Sequence, residues 1–142
     1  MNALFTDTMT VYNHYIDSEG NDKWVRTVVE HIQWKDGKTS VANDNGILTA
    51  TATKSITIDF SVEKQKNFLS AAEYERTWQP TEYWTLNTKD ELDVLVYGEC
   101  PAEITDEYTI SNLIKEYGAV TIKAVTDNRN RRLLQHIKVV AQ

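Results

Sequence analysis

Apolar and polar positions alternate with a period of two along most of this chain, and that period predicts strands. From Thr8 to Ile16 the alternation runs through Met9, Val11 and, less cleanly, Tyr15, with threonine and tyrosine favouring extended backbone. Asp17 to Asp22 is a turn by composition, and Trp24 to Trp34 follows as a second strand, so the first two strands make a hairpin. Trp24, Val28, Ile32 and Trp34 share a face with Arg26 and Glu30, while Val25, Thr27, Val29 and His31 take the other. Neither face is cleanly apolar, which predicts a strand partly covered on both sides, and one that bends.

Lys35-Asp36-Gly37-Lys38 reads as the next turn, because Asp-Gly is a strong short-range reversal signal. Thr39 to Thr53 is small and polar around a loop at Asn43 to Gly46. Ser55 to Val62 returns to clean alternation, with Ile56, Ile58, Phe60 and Val62 inward and Thr57, Asp59 and Ser61 outward. The period then changes. Residues 63 to 83 form a long insertion with helical character, in which Ser70 and Glu73 have the spacing of a capping box and Pro80 ends the helix. Tyr83 to Leu86 leads through a turn at Asn87 to Glu91 into a strand, Leu92 to Tyr97, closed by Gly98. A short helix spans Ser111 to Tyr117, with Ser111 as N-cap and Gly118 at the C-terminal cap. Residues 119 to 141 then form a long hairpin: Val120, Ile122 and Ala124 on one strand, Leu133, Ile137 and Val139 on the other, and a polar tip from Asp127 to Arg132. The expected fold is mainly β: a small β-barrel, or a sandwich, of about six to seven strands, with a long insertion and one or two short helices, in a single domain over residues 1–142. A barrel is preferred because it leaves fewer unpaired edges.

Composition narrows the function classes. A chain of 142 residues is long enough for one core. The formal net charge of -6 argues against general nucleic-acid binding, which needs a basic face. No apolar run approaches the roughly 20 residues that cross a bilayer, and Asn2, Thr6 and Asp7 break any secretory signal pattern. The single cysteine, Cys100, allows no internal disulfide and fits synthesis inside the cell.

Candidate chemistry is sparse. His14, His31 and His136 lack metal-ligand spacing, and Cys100 has no base close in sequence. The carboxylates Asp90, Glu91 and Asp93, and Glu103, Asp106 and Glu107, cluster on expected loops, where solvated charge is the ordinary state. No phosphate-binding glycine loop or nucleophile elbow is present. The expectation is therefore no catalytic residue, no cofactor and no metal. Trp78, Tyr83 and Trp84 are candidates for an interface or for stacking on sugars or bases, and equally for stapling the insertion to the barrel. At the tip, Asn128, Arg129, Arg131 and Arg132 put three cations within four residues of an acidic chain, which suits an acidic neighbour such as a second copy.

Several segments together carry a resemblance. They are Phe5 to Asn13, Asp22-Lys23-Trp24, Val29 to Trp34, Trp84-Thr85-Leu86, Val94 to Glu99, Val125 to Arg129 and His136 to Val140. With these the chain resembles small proteins from the structural cassettes of tailed phages and prophages of Gram-positive bacteria, and in size and barrel plan the head-closure (stopper) proteins. The resemblance implies a non-enzymatic virion protein of the head–tail neck, made in the bacterial cytoplasm. It would form a ring of six or twelve copies between portal–adaptor and tail-side neck proteins, close to packaged DNA and away from membrane. A tail-terminator or tail-completion protein is the neighbouring expectation. A carbohydrate- or single-strand-nucleic-acid-binding barrel is the expectation from another class.

Overall fold

The computed structural model describes residues 5–42, 48–130 and 135–142. Its strands are β1 (Asp7–Ile16), β2 (Asp22–Ala42), β3 (Leu48–Asp59), β4 (Asn67–Phe68), β5 (Tyr83–Trp84), β6 (Val94–Tyr97), β7 (Val120–Asn128) and β8 (His136–Ala141). Two helices, α1 (Ala71–Arg76) and α2 (Ile110–Tyr117), complete the order with two short 3-10 turns. Six strands pair antiparallel in the closed cycle β1-β2-β3-β8-β7-β6. The closure is uneven. The β6/β7 seam is two residue pairs, Val94 with Thr121 and Leu95 with Val120, so the sheet is closed without being a regular barrel.

Alternation explains the interior. Met9, Val11, Val29, Ile32, Ile56, Ile58, Leu95, Ile122, Ile137 and Val139 meet inside, and the insertion contributes Trp84 and Leu86 to the same core. A second cluster lies outside β1 and β6, where Tyr12, Val94 and Val96 pack with Cys100, Leu113 of α2 and Ala119. β1 is consequently buried on both faces from Met9 to Asn13. β2 bends as its mixed faces suggest: His31 takes a φ of 61 and the register slips there, Asp7 pairing with Ile32 but Thr8 with Glu30. This is a β-bulge, which sharpens the local twist and lets one long strand turn a barrel corner.

The expected turn at Lys35 to Lys38 is not a turn. These residues lie inside β2, Lys35 opposite Ser55, Asp36 opposite Lys54 and Gly37 opposite Thr53. An Asp-Gly reversal requires its own flanks to pair, and here Trp34 is already committed to Ile56. Pairing runs on through Thr39 to Thr53, read from sequence only as small and polar, as far as Ala42 opposite Leu48. The loop expected at Asn43 to Gly46 lies outside the described residues.

The helix signals are largely met. Ser70 caps α1, its hydroxyl oxygen accepting from the Glu73 amide at 3.3 Å and its hydroxyl donating to the Glu73 carboxylate at 2.9 Å. α1 stops at Arg76, before Pro80, which instead opens a 3-10 turn. α2 begins one residue earlier than expected, capped by Thr109 rather than Ser111, because Thr109 and Asn112 form the reciprocal box. Gly118 ends it with a φ of 65. Asp59, expected outside, is buried, and its carboxylate accepts from the Ser61 amide at 2.9 Å and hydroxyl at 2.6 Å.

Candidate functional site

The whole segment between β3 and β6, residues 60–93, which is wider than the insertion expected at 63–83, docks on the barrel through an aromatic seam. Trp84 is fully buried; its indole donates to the Lys66 carbonyl at 3.0 Å and stacks with Phe60 at 6.0 Å between centroids. Phe68 meets it edge-on at 4.8 Å. The Arg129 guanidinium caps this seam, 4.8 Å from the Phe68 centroid and 5.6 Å from that of Phe60. It also donates to Asp127 through Nε and Nη2, at 2.9 and 2.7 Å, and those hydrogen bonds hold the Asp127 carboxyl below its ordinary range.

Two of the sequence candidates therefore change role. Trp84 offers no surface to a partner, because its ring is needed to fill the barrel mouth. Arg129 is not a projecting cation, since it folds back to staple the insertion. Asn128 ends β7 and its amide meets the His136 ring at 3.3 Å. Tyr83 is half-buried in β5, which pairs parallel with β4. Arg131 and Arg132 lie outside the described residues. Trp78 stands apart, 85% exposed.

Trp78 stands on the wall of an open cleft of about 1010 Å³ between the β1–β2 turn, α1 with its exit, and residues 85–93. Five carboxylates line it besides the floor: Asp17, Asp22, Glu75, Glu82 and Asp90, against one lysine, Lys89. Asp22 is bonded to the His14 ring at 2.7 Å, and Lys89 reaches Glu75 at 4.0 Å. Asp17 is held below its ordinary range chiefly by the Asn21 backbone amide.

The floor is a buried polar network. Asn13, fully buried on β1, donates to the Thr85 carbonyl at 2.7 Å and to Asp93 at 2.9 Å, and accepts from the Thr85 amide at 3.1 Å. Asp93 also accepts from the amides of His14 at 2.8 Å and Asn87 at 3.2 Å. Burial pushes the Asp93 carboxyl up to about 6, although these donors favour its charged form. Burial likewise raises the neighbouring Tyr74 phenol. Thr85 is 1% exposed, lines the cleft, and its Oγ1 has no hydrogen-bond partner among the described residues. Sequence reading placed Asp93 on a solvated loop and passed over Asn13 and Thr85. One signal was present: Asn13 interrupts the Met9, Val11 alternation at an inward position.

Among the described residues, no three His, Cys, Asp or Glu side chains gather in a metal-holding group, and no helix is long and apolar enough to cross a membrane. Cys100 is buried, and its amide donates to Thr10 Oγ1 at 2.8 Å. The cleft can hold a cationic group against carboxylates, with an indole beside it. No curated protein and no solved structure matches the chain. Over residues 4–142 the chain matches the Family of unknown function (DUF6751), and it belongs to that family.

Proposed function

We propose that this protein is a non-enzymatic virion component of the head–tail neck, of head-closure type, which works by assembling into a ring. The observation that carries this reading is the β2–β3 ribbon. β1 leaves β2 at Ile32, and β8 leaves β3 at Lys54. Beyond those points Gly37–Ala42 and Leu48–Thr53 pair only with each other among the described residues. The ribbon runs on for roughly 20 Å with both outer edges open.

A two-stranded hairpin is marginal in water, and open edges invite another strand. Within the ribbon the sequence places a single charge, Lys38 near its base, and no proline, so the usual devices against edge pairing are sparse. Such an arm suits a subunit that completes its sheet on a neighbour. The chain-long resemblance to phage structural-cassette proteins supplies the setting. The sugar- or nucleic-acid-binding alternative loses support: one of its three aromatics is interior, and the cleft beside Trp78 is lined by carboxylates that repel phosphates.

The reading is tested by cryo-electron microscopy of purified tailed particles from the source strain. A closed ring of this chain between portal and tail is the expected result. A complete particle lacking the chain would overturn it.

A further inference from the structure

We infer that the β2–β3 ribbon joins this chain to further copies of itself, the open edge of β3 in one copy pairing antiparallel with the open edge of β2 in the next. The inference rests on the ring reading for its setting and adds which backbone edges meet. Two observations carry it. The first is that the edges match. Gly37–Ala42 and Leu48–Thr53 are six residues each, and among the described residues each segment pairs only with the other. In an antiparallel ladder every second residue points both its N–H and its C=O away from its partner, so each edge offers about three such residues to a new strand.

The second observation is that another open edge of the molecule is guarded and this one is not. From Ala124 to Asn128, β7 pairs only with β8 among the described residues, because its pairing with β6 ends at Thr121. That edge is blunted: a bulge breaks its register between Ile122 and Ala124, and the charged residues Lys123 and Asp127 stand exposed along it. Bulges and edge charges are devices that keep a strand from recruiting another. The ribbon keeps regular pairing from Gly37 to Ala42, with no proline and with Lys38 as its one charge. Its threonines and Val41 favour extended backbone.

Strand direction selects the partner edge. Copies related by rotation lay their ribbons in the same direction, and β2 and β3 of one ribbon are antiparallel. β3 of one copy then meets β2 of the next antiparallel, and each copy uses both of its edges once. Repetition of that head-to-tail contact leaves no edge open when the ring closes. Pairing of like edges, β2 on β2, is a two-fold contact that leaves both β3 edges unpaired.

The test is disulfide cross-linking between copies of the full chain. Thr39→Cys is mixed in turn with Thr49→Cys, Ala50→Cys, Thr51→Cys, Ala52→Cys and Thr53→Cys, a series that covers a register shift in either direction. Residues opposite one another on paired strands sit at a separation that a disulfide can bridge. At millimolar chain, at least one mixture is expected to give about tenfold more cross-linked dimer than either variant alone, because paired cysteines react at a raised effective concentration. Cys100, 2% exposed, sets the background in the parent chain, and retained amide dispersion shows that each variant folds. Amide exchange at residues 38–42 and 49–53 should also slow as concentration rises, with residues 124–128 unchanged. No mixture above background, equal cross-linking by Thr39→Cys alone, or protection appearing on β7 instead would each overturn the inference. Neck density in which the ribbons stay apart removes the edge pairing and leaves the ring reading. Cross-linking by a chain absent from complete particles keeps the edge pairing and removes the neck.

Discussion

Strand β2 belongs to two regions with different physics. From Asp22 to Ile32 it pairs with β1, and its residues Val25, Thr27, Val29 and Ile32 are buried. From Gly37 to Ala42 its paired neighbour is β3 alone, and β3 has by then lost β8. The first region combines burial with its ladder to β1, whereas the second has a single ladder of backbone hydrogen bonds among the described residues. Continuous secondary structure can therefore hide a sharp change in what stabilises it. The barrel answers to its core, whereas the arm answers to whatever pairs with its edges.

Perturbing the barrel mouth should cost most. Trp84→Ala removes the largest ring in the core and leaves the Lys66 carbonyl without its donor; a loss of about 3–5 kcal/mol is expected in chemical denaturation. A loss below about 1 kcal/mol would show that the insertion, and not the barrel, owns this residue.

The polar floor comes next. Asp93→Asn replaces one acceptor oxygen by a donor facing Asn13, His14 or Asn87, at a cost of about 1–3 kcal/mol. The pH dependence has a definite sign. Folding raises the Asp93 carboxyl from 3.8 to about 6, so the folded state binds its proton more tightly. The associated stability is complete below the ordinary carboxylate range and is lost as pH rises through about 6. The stability gap between the native chain and the Asn variant should therefore be widest near pH ~4 and narrow above pH ~6. A gap independent of pH would contradict the buried-carboxyl account.

Arg129→Ala should cost about 1 kcal/mol, the sum of a cation–π contact and an exposed ion pair. The same change should expose the aromatic seam to solvent, visible as faster amide exchange at Phe68 and Trp84 than in the native chain. Cutting back the arm should cost the barrel least. Joining Asp36 to Lys54 by an Asn-Gly turn removes every pair beyond them and should alter barrel stability by less than about 1 kcal/mol. Under the proposed function, the same variant should fail to enter particles; full incorporation would separate the arm from assembly.

Much of the barrel could be read in advance because its alternation is local. Met9 with Val11 and Ile56 with Ile58 state their faces within a few residues, and Ser70, Glu73 and Gly118 state their caps; Ala124, expected to share the face of Ile122, is exposed, because a bulge between them turns Val125 to the core instead. The misreadings share one cause. Asp36-Gly37 is a turn by local rule and a strand by long-range pairing. Trp84 and Trp78 are both tryptophans of one segment, and only docking makes the first interior and the second 85% exposed. Asp93 looks like its neighbours Asp90 and Glu91 until Asn13, 80 residues away in sequence, donates to it.

By itself, the sequence determined a mainly β chain, its hairpin order, the helix caps at Ser70 and Gly118 and an acidic balance, because each follows from residue type and short-range spacing. Tertiary structure alone decided which carboxylate is buried, which arginine is tied down, where the ribbon parts from the barrel, and that Thr85, Asn13 and Asp93 share one cleft floor. Those outcomes depend on contacts between residues far apart in sequence, whose energies exceed the local preferences they override.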